Sequence, residues 1–389
     1  MPVTNRFADF HQEITAWRRD FHEHPELLYD VHRTAEKIAG KLTEFGVDEV
    51  VTGLGKTGVV GVIKGRSTDS GKVIGLRADM DALPIHEATD KPYASKTEGK
   101  MHACGHDGHT SMLLGAAKYL AETRNFDGTI ILIFQPAEEG GAGAKAMIDD
   151  GLMDRFGIQQ VFGMHNMPGA PVGDFAIRTG AIMASADRIT IDIEGKGSHA
   201  AMPNDGVDTV LVMAAIIQAV QQIASRNVDP LESVVVSLCK IRSGFTDNVL
   251  PQTAQINGTV RTLNPEVRDL AEKRLHEIIE NTAKAYGATA KLTYRRDYPV
   301  TVNHDDQTDF VVSIAESLVG KNRVNRYYPP TMGAEDFSFM LESRPGAFIF
   351  VGNGDTASLH HPEYDFNDDL IPIGCSYWAQ LAETAMPAS

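Results

Sequence analysis

An α/β fold interrupted by an inserted second domain is what this 389-residue sequence predicts. Three observations carry the prediction. Short, unbroken apolar runs alternate with helical patterns as far as residue 185. Strands of alternating polarity take over between 186 and 299. After 300 the first texture returns. Unbroken apolar strands are those buried on both faces, and strand–helix alternation places helices on both faces of a sheet.

The elements follow in order. Residues 6–22 carry Phe7, Phe10, Ile14, Trp17 and Phe21 at spacings of three and four, which predicts a helix stopped by Pro25. Ala35, Ile38, Leu42 and Phe45 make one stripe of a second helix over 32–45. Strands are predicted at 59–63, 73–76, 130–134 and 161–164, with helices near 110–123 and 141–150. In the middle segment Ile189, Ile191 and Ile193 alternate along a strand. A helix over 206–226, strands over 233–241 and 254–262, a helix from Pro265 to about 286 and a strand over 289–298 complete it. That order, β-α-β-β-α-β in about 110 residues, is ferredoxin-like and of domain size. A helix near 307–319, a strand at 347–351 and a helix from about 370 close the chain. The predicted domains are therefore 1–185 with 300–389, and 186–299.

Composition excludes several classes. With 36 basic and 52 acidic residues the net charge is −16, which argues against binding nucleic acid or anionic lipid through a basic surface. The N-terminal MPVTNRFADFHQEITAWRRD has no apolar core of a signal peptide, and no stretch approaches 18 uninterrupted apolar residues. The cysteines are three, Cys104, Cys239 and Cys375. So sparse and odd a set predicts a reducing cytoplasm rather than a disulfide framework.

The chemistry concentrates in four places. Met101–Thr110 holds His102, Cys104, His106, Asp107 and His109 just ahead of a helix. If the segment is extended, Cys104 and His106, two apart, face the same way and reach one ion; a helix cap with incidental histidines is the bland alternative. Gln135–Gly141 sets Glu138 beside Glu139 directly after a buried strand. Adjacent carboxylates there are costly unless they share a cation or proton, and one can ligate a metal while its neighbour acts as general base; an exposed acidic loop is the alternative. His165 ends a buried strand, and His361 precedes Pro362, which favours an extended backbone. Taken singly, either histidine is as readily structural. Together Cys104, His106, Glu139, His165 and His361 suit Zn²⁺ and also accept Mn²⁺, Co²⁺ or Ni²⁺. Five ligands exceed one tetrahedral ion and fit a two-metal site.

With these residues in view, the sequence resembles the M20 family of metallopeptidases and amidohydrolases, in particular the branch of hippurate hydrolases and indole-acetyl amino acid hydrolases. The likeness rests on Trp17–Glu26, Leu76–Pro84, Met101–Thr110, Pro136–Gly140, Gly195–Ala201, Asn248–Pro251, Met332–Phe337 and His361-Pro362. It implies a zinc-peptidase-like catalytic domain, an inserted lid that also dimerises, and two divalent metals on the five residues above. It implies Glu138 as general base, Asp79 orienting a metal-site residue, His199 steadying the oxyanion, and Asn248 and Arg261 holding the substrate. Judged alone, His199 and Asn248 read as turn residues and Arg261 as a strand surface residue. Arg77 stands where many relatives carry a metal-binding histidine, and Cys104 where many carry a carboxylate. The implied reaction is hydrolysis of an N-acyl amino acid. A metallodipeptidase or an N-acetyl-diaminopimelate-type deacetylase is the alternative within the family, and a cysteine hydrolase using Cys104 the alternative mechanism.

Overall fold

The computed structural model describes residues 5–388. The chain forms two compact units, one of residues 1–180, 302–329 and 336–389, the other of 181–301 and 330–335. Residues 330–335 join the second unit because Thr331 and Gly333 carbonyls accept from the Ala184 N–H, and the Thr331 N–H donates to the Ile182 carbonyl.

The first unit is built on an eight-stranded mixed sheet. Helix α1 (Asn5–Glu23) and helix α2 (His32–Glu44) precede strands β1 (Glu49–Leu54), β2 (Gly58–Lys64) and β3 (Val73–Asp79). Helix α3 (His106–Thr123), β4 (Thr129–Gln135), helix α4 (Gly143–Asp149) and β5 (Gln160–Pro168) follow. The strands lie in the order β1, β2, β4, β3, β5, Gly346–Gly354, Phe175–Ala176 and Val324–Asn325. β4, β3, β5 and Gly346–Gly354 run parallel, so their C-terminal ends share one edge. Buried residues dominate β2 to β5, as their apolar runs predict. β1, of mixed polarity and buried only at Leu54, carries no such run, and the sequence does not predict it.

Helix α3 corrects one expectation. It begins at His106, four residues before the apolar pattern suggests, because Gly105 turns the chain at φ 87° and starts the helix. A Cβ at Gly105 would lie 2.2 Å from Asn166 Nδ2 and 2.5 Å from the Tyr364 hydroxyl, so only glycine fits. Cys104 and His106 therefore do not share an extended segment; they flank this turn. Every residue from His106 to Ala117 is buried, which marks α3 as an interior helix.

The second unit has strands Ala186–Glu194, Val234–Ser243, Thr253–Thr262 and Thr289–Tyr298 with helices Thr209–Val220 and Pro265–Ala285. The sheet is antiparallel, and the first strand lies between the third and the fourth. Ile189, Ile191, Ile193, Val212, Ile216, Ile256, Leu275 and Ile279 pack as its core. The expected helix over 206–226 ends at Val220 and passes into a π-helical turn, Ile223–Asn227. Thr209–Asn227 is long and apolar enough to cross a membrane, but Val212, Ile216, Val220 and Ile223 belong to this core.

Candidate metal centre

Ligands in open α/β sheets bind beyond the carboxyl ends of the strands, and the charged residues of the first unit gather there. β3 delivers Asp79 and, two residues on, Asp81; β4 leads into Glu138 and Glu139; β5 carries His165; the loop after Gly354 carries His360 and His361.

Donor atoms of Cys104, His106 and Glu139 lie within 4.8 Å of one another, as do those of Asp79, His106, His109 and His165. His106 is common to both sets. Cys104 Sγ is 3.4 Å from His165 Nε2. His106 Nδ1 donates to the Asp81 carbonyl at 2.8 Å, and His165 Nδ1 to the Asn166 carbonyl at 2.7 Å. Each ring's Nδ1 is thereby committed to a carbonyl, which leaves Nε2 as the atom a metal would take. His106 Nε2 is buried and has no hydrogen-bond partner among the described residues. A buried nitrogen left so is costly unless a cation or donor meets it. The donors, one thiol, imidazoles and a carboxylate, suit a borderline divalent metal.

The charges agree. Burial would lower the His106 pKa, but Asp79, Asp81 and Glu139 raise it to about 10. The surroundings therefore favour positive charge at this point. Burial raises Glu139, but the bond to His360 and the charge of His106 outweigh it and keep the carboxyl below its ordinary value. Burial and the carboxylates of Glu139, Glu138 and Asp79 push the Cys104 thiol well above its usual value. A nucleophilic cysteine needs the opposite, a lowered pKa and access to solvent, so the cysteine-hydrolase mechanism finds no support here. A bound cation reverses the sign, since it stabilises the thiolate.

Asp81 sets the geometry of the acidic loop. Its two carboxylate oxygens accept from the backbone N–H groups of Glu138 (2.9 Å) and Glu139 (3.2 Å). Ala137 takes φ 56° just ahead of them and donates its N–H to the Leu28 carbonyl. The Tyr29 hydroxyl donates to the Gly141 carbonyl at 2.6 Å. Adjacent side chains are thereby held in different directions: Glu139 faces His106 and His360, and Glu138 is a separate buried carboxylate.

The sequence-derived residues divide cleanly. Cys104, His106, Glu139 and His165 converge. Asp79 accepts from His109 Nδ1 (2.6 Å) and Arg77 Nη1 (2.8 Å), and lies 3.6 Å from His106 Nε2. Arg77 also reaches Asp336 and Gln135, so the cation at this position cross-links carboxylates behind the cluster. His361 does not join the cluster. It is exposed, and its Nδ1 accepts from the Glu363 N–H. His360 stands there instead, with Nε2 3.3 Å from Glu139 Oε1. Its φ of 64° and an N–H bond to the Ala103 carbonyl fix its place beside Cys104. Pro362 restrains only the residue before it, so the sequence gives no reason to prefer His360 over its neighbour. Asp81 and His109 lie in Leu76–Pro84 and Met101–Thr110, where the sequence alone assigns them no role.

His199, Asn248 and Arg261 belong to the second unit. His199 is exposed, pairs with Val249, and its Nδ1 accepts from the Ala201 N–H. The Asn248 carbonyl accepts from the Ala200 N–H, so His199 and Asn248 lie side by side on a two-stranded antiparallel ladder. Arg261 is half-buried in the four-stranded sheet, opposite Val235, and not on that ladder.

Cys, His and carboxylate donors gathered at the C-terminal edge of the parallel strands of this mixed sheet define the class as a metal-dependent enzyme. Residues 75–384 match the family described as Peptidase family M20/M25/M40, and the chain belongs to it. It is similar to the hippurate hydrolase of Campylobacter jejuni, with 45% identity over 98% of this chain and 99% of the relative. The N-acetylcysteine deacetylase of Bacillus subtilis is 39% identical over 96% and 97%. A solved Bacillus subtilis structure, a dinuclear metal-binding peptidase of the M20 family, superposes with a TM-score of 0.84 at 35% identity, covering 97% of this chain and 99% of that one. The protein is accordingly a metal-dependent amidohydrolase of this family.

Proposed function

We propose that the protein hydrolyses the amide bond of N-acyl amino acids, releasing a carboxylic acid and a free amino acid. The observation that carries this is the paired presentation of His106 and His165 Nε2 beside Cys104 and Glu139, with the separate carboxylate Glu138 on the same loop. Cys104, His106, Glu139, His165 and His360 would hold two divalent ions, Zn²⁺ or Mn²⁺ by donor chemistry, with Co²⁺ and Ni²⁺ also suited. His361, the ligand expected from sequence, would then line the loop. Bound metal supplies Lewis acidity, which activates water and polarises the amide carbonyl.

The chain's own residues do the rest. Glu138 accepts the proton of the attacking water and returns it to the leaving amine. Asp81 keeps Glu138 aimed through its backbone. Asp79 holds His109 and, with Arg77, balances charge behind the donors. By family resemblance His199 stabilises the oxyanion, and Asn248 and Arg261 bind the substrate carboxylate, for which arginine's fork is suited. The same resemblance supports a homodimer through the second unit. The free Cys104, Cys239 and Cys375 support a reducing cytoplasm.

The substrate class rests on relatives named for hippurate and N-acetylcysteine. A panel of hippurate, indole-acetyl amino acids, N-acetyl amino acids and dipeptides tests it. Acyl amino acids are expected to show kcat/KM at least ~10-fold above dipeptides, a difference of about 1.4 kcal/mol in transition-state binding. Preference for dipeptides would assign the metallodipeptidase reading instead, and preference for N-acetyl-diaminopimelate derivatives the deacetylase.

A further inference from the structure

The Trp17–Glu26 block of the sequence takes no part in the mechanism above, yet two of its polar members, Arg18 and His22, are buried. Arg18 and His22 are both wholly inaccessible on α1, and Asp107, the second residue of α3, is 1% exposed. His22 Nδ1 donates to Asp107 Oδ2 at 2.8 Å and its Nε2 lies 3.2 Å from Glu87 Oε1. Arg18 Nη1 stands 3.5 Å from the same Asp107 oxygen, and Arg18 Nε donates to Asp368 at 2.8 Å. The Tyr93 ring meets His22 edge-on with centroids 5.8 Å apart. Glu87 is itself fixed by the Ser95 N–H at 2.7 Å.

The placement of Asp107 gives this network a consequence. It follows His106 directly, in the first turn of α3 after the Gly105 bend. His106 is held on its other side by the Asp81 carbonyl. The first turn of α3 is thus tied at two points, through the His106 ring and through the Asp107 carboxylate. Rotation of that turn would carry His106 Nε2 away from Cys104 and Glu139. An ion pair kept merely for stability would have no reason to be built on the residue beside a donor, and buried pairs are weak stabilisers.

We infer that His22 is a positioning residue of the metal centre, bridging Glu87 to Asp107 so that the first turn of α3 aims His106. His22 works as an imidazolium: both ring nitrogens face carboxylates. Burial opposes that charge, but the bonds to Asp107 and Glu87 raise its pKa to about 9. Arg18 supplies the second positive charge to Asp107. Partners that orient a metal ligand at one remove are commonly worth ~10–100-fold in metal affinity or activity.

The inference rests on the metal-site reading, and one titration separates the two. Zn²⁺ is titrated against a competing chelator into the parent protein, His22→Ala and His22→Gln, and the absorption spectrum of each Co²⁺-loaded form is recorded. The expected result is tight binding in the parent, about 10–100-fold weaker binding with an altered Co²⁺ spectrum in His22→Ala, and intermediate values in His22→Gln, which can still donate to Asp107. KM for the substrate should change less than kcat. Failure of the parent to bind metal overturns the site itself, and this inference with it. A folded His22→Ala with parental affinity and spectrum overturns the role of His22 alone. Where His22→Ala does not fold, His22→Gln decides: it has lost the bridge to Glu87, and parental behaviour in it overturns the proposal.

Discussion

Replacing Glu138 with alanine is expected to lower kcat by at least about 10³-fold while the protein keeps its metal. General acid–base catalysis contributes ~10²–10⁴-fold, and one carboxylate is proposed to act twice in the cycle, on the water and on the leaving amine. Metal is expected to stay because Glu138 stands outside the proposed ligands Cys104, His106, Glu139, His165 and His360; its carboxylate lies within 4.8 Å of that of Asp336 instead. The loop should keep its shape too: Asp81 holds the backbone N–H groups of Glu138 and Glu139, not their side chains. KM should change little, since the group acts on the reacting proton rather than on the substrate's ends. Steady-state kinetics together with metal analysis of the purified variant check this. Parental kcat in Glu138→Ala would remove the proposed base, and loss of metal with activity would recast Glu138 as a ligand.

The second large effect separates adjacent histidines. His360→Ala is expected to lose metal, with kcat falling about 10²-fold or more, whereas His361→Ala stays within about threefold of the parent. The basis is geometric. His360 Nε2 is 3.3 Å from Glu139 Oε1, and its backbone is tied to Ala103 beside Cys104. His361, exposed like His360, makes no such contact and accepts instead from the Glu363 N–H, a bond worth roughly 1 kcal/mol at a surface. Metal stoichiometry and kcat of the two variants check it. The reverse pattern would show that the loop rearranges to bring in His361, as the sequence alone suggested.

That histidine pair shows where sequence reasoning ends. The apolar runs of β2 to β5, and the alternation of Ile189, Ile191 and Ile193, dictate their strands because burial on two faces or one leaves a direct mark on composition. Cys104, His106 and Glu139 were legible for a related reason: soft and hard donors crowded near strand ends have few other uses. His360 was not legible, because its choice depends on a left-handed turn and on a bond to Ala103, contacts made across more than 250 residues. The onset of α3 was missed because a helix buried all round has no polar face to set its phase. Asp81 left no signal because it acts on backbone N–H groups, which every residue carries. His22 was hidden likewise: nothing in Trp17–Glu26 says that its partner is Asp107, 85 residues on.

The central claim, that metal held by Cys104, His106, Glu139, His165 and His360 performs the hydrolysis, is tested most directly by stripping and restoring the metal. The protein is exhaustively treated with a chelator, its metal content and its hydrolysis of hippurate and N-acetyl amino acids are measured, and Zn²⁺, Mn²⁺, Co²⁺ or Ni²⁺ is then returned in steps. The predicted result is activity lost with the metal and regained as occupancy approaches two ions per chain. Full activity in metal-free protein, abolished instead by alkylation of Cys104, would contradict it.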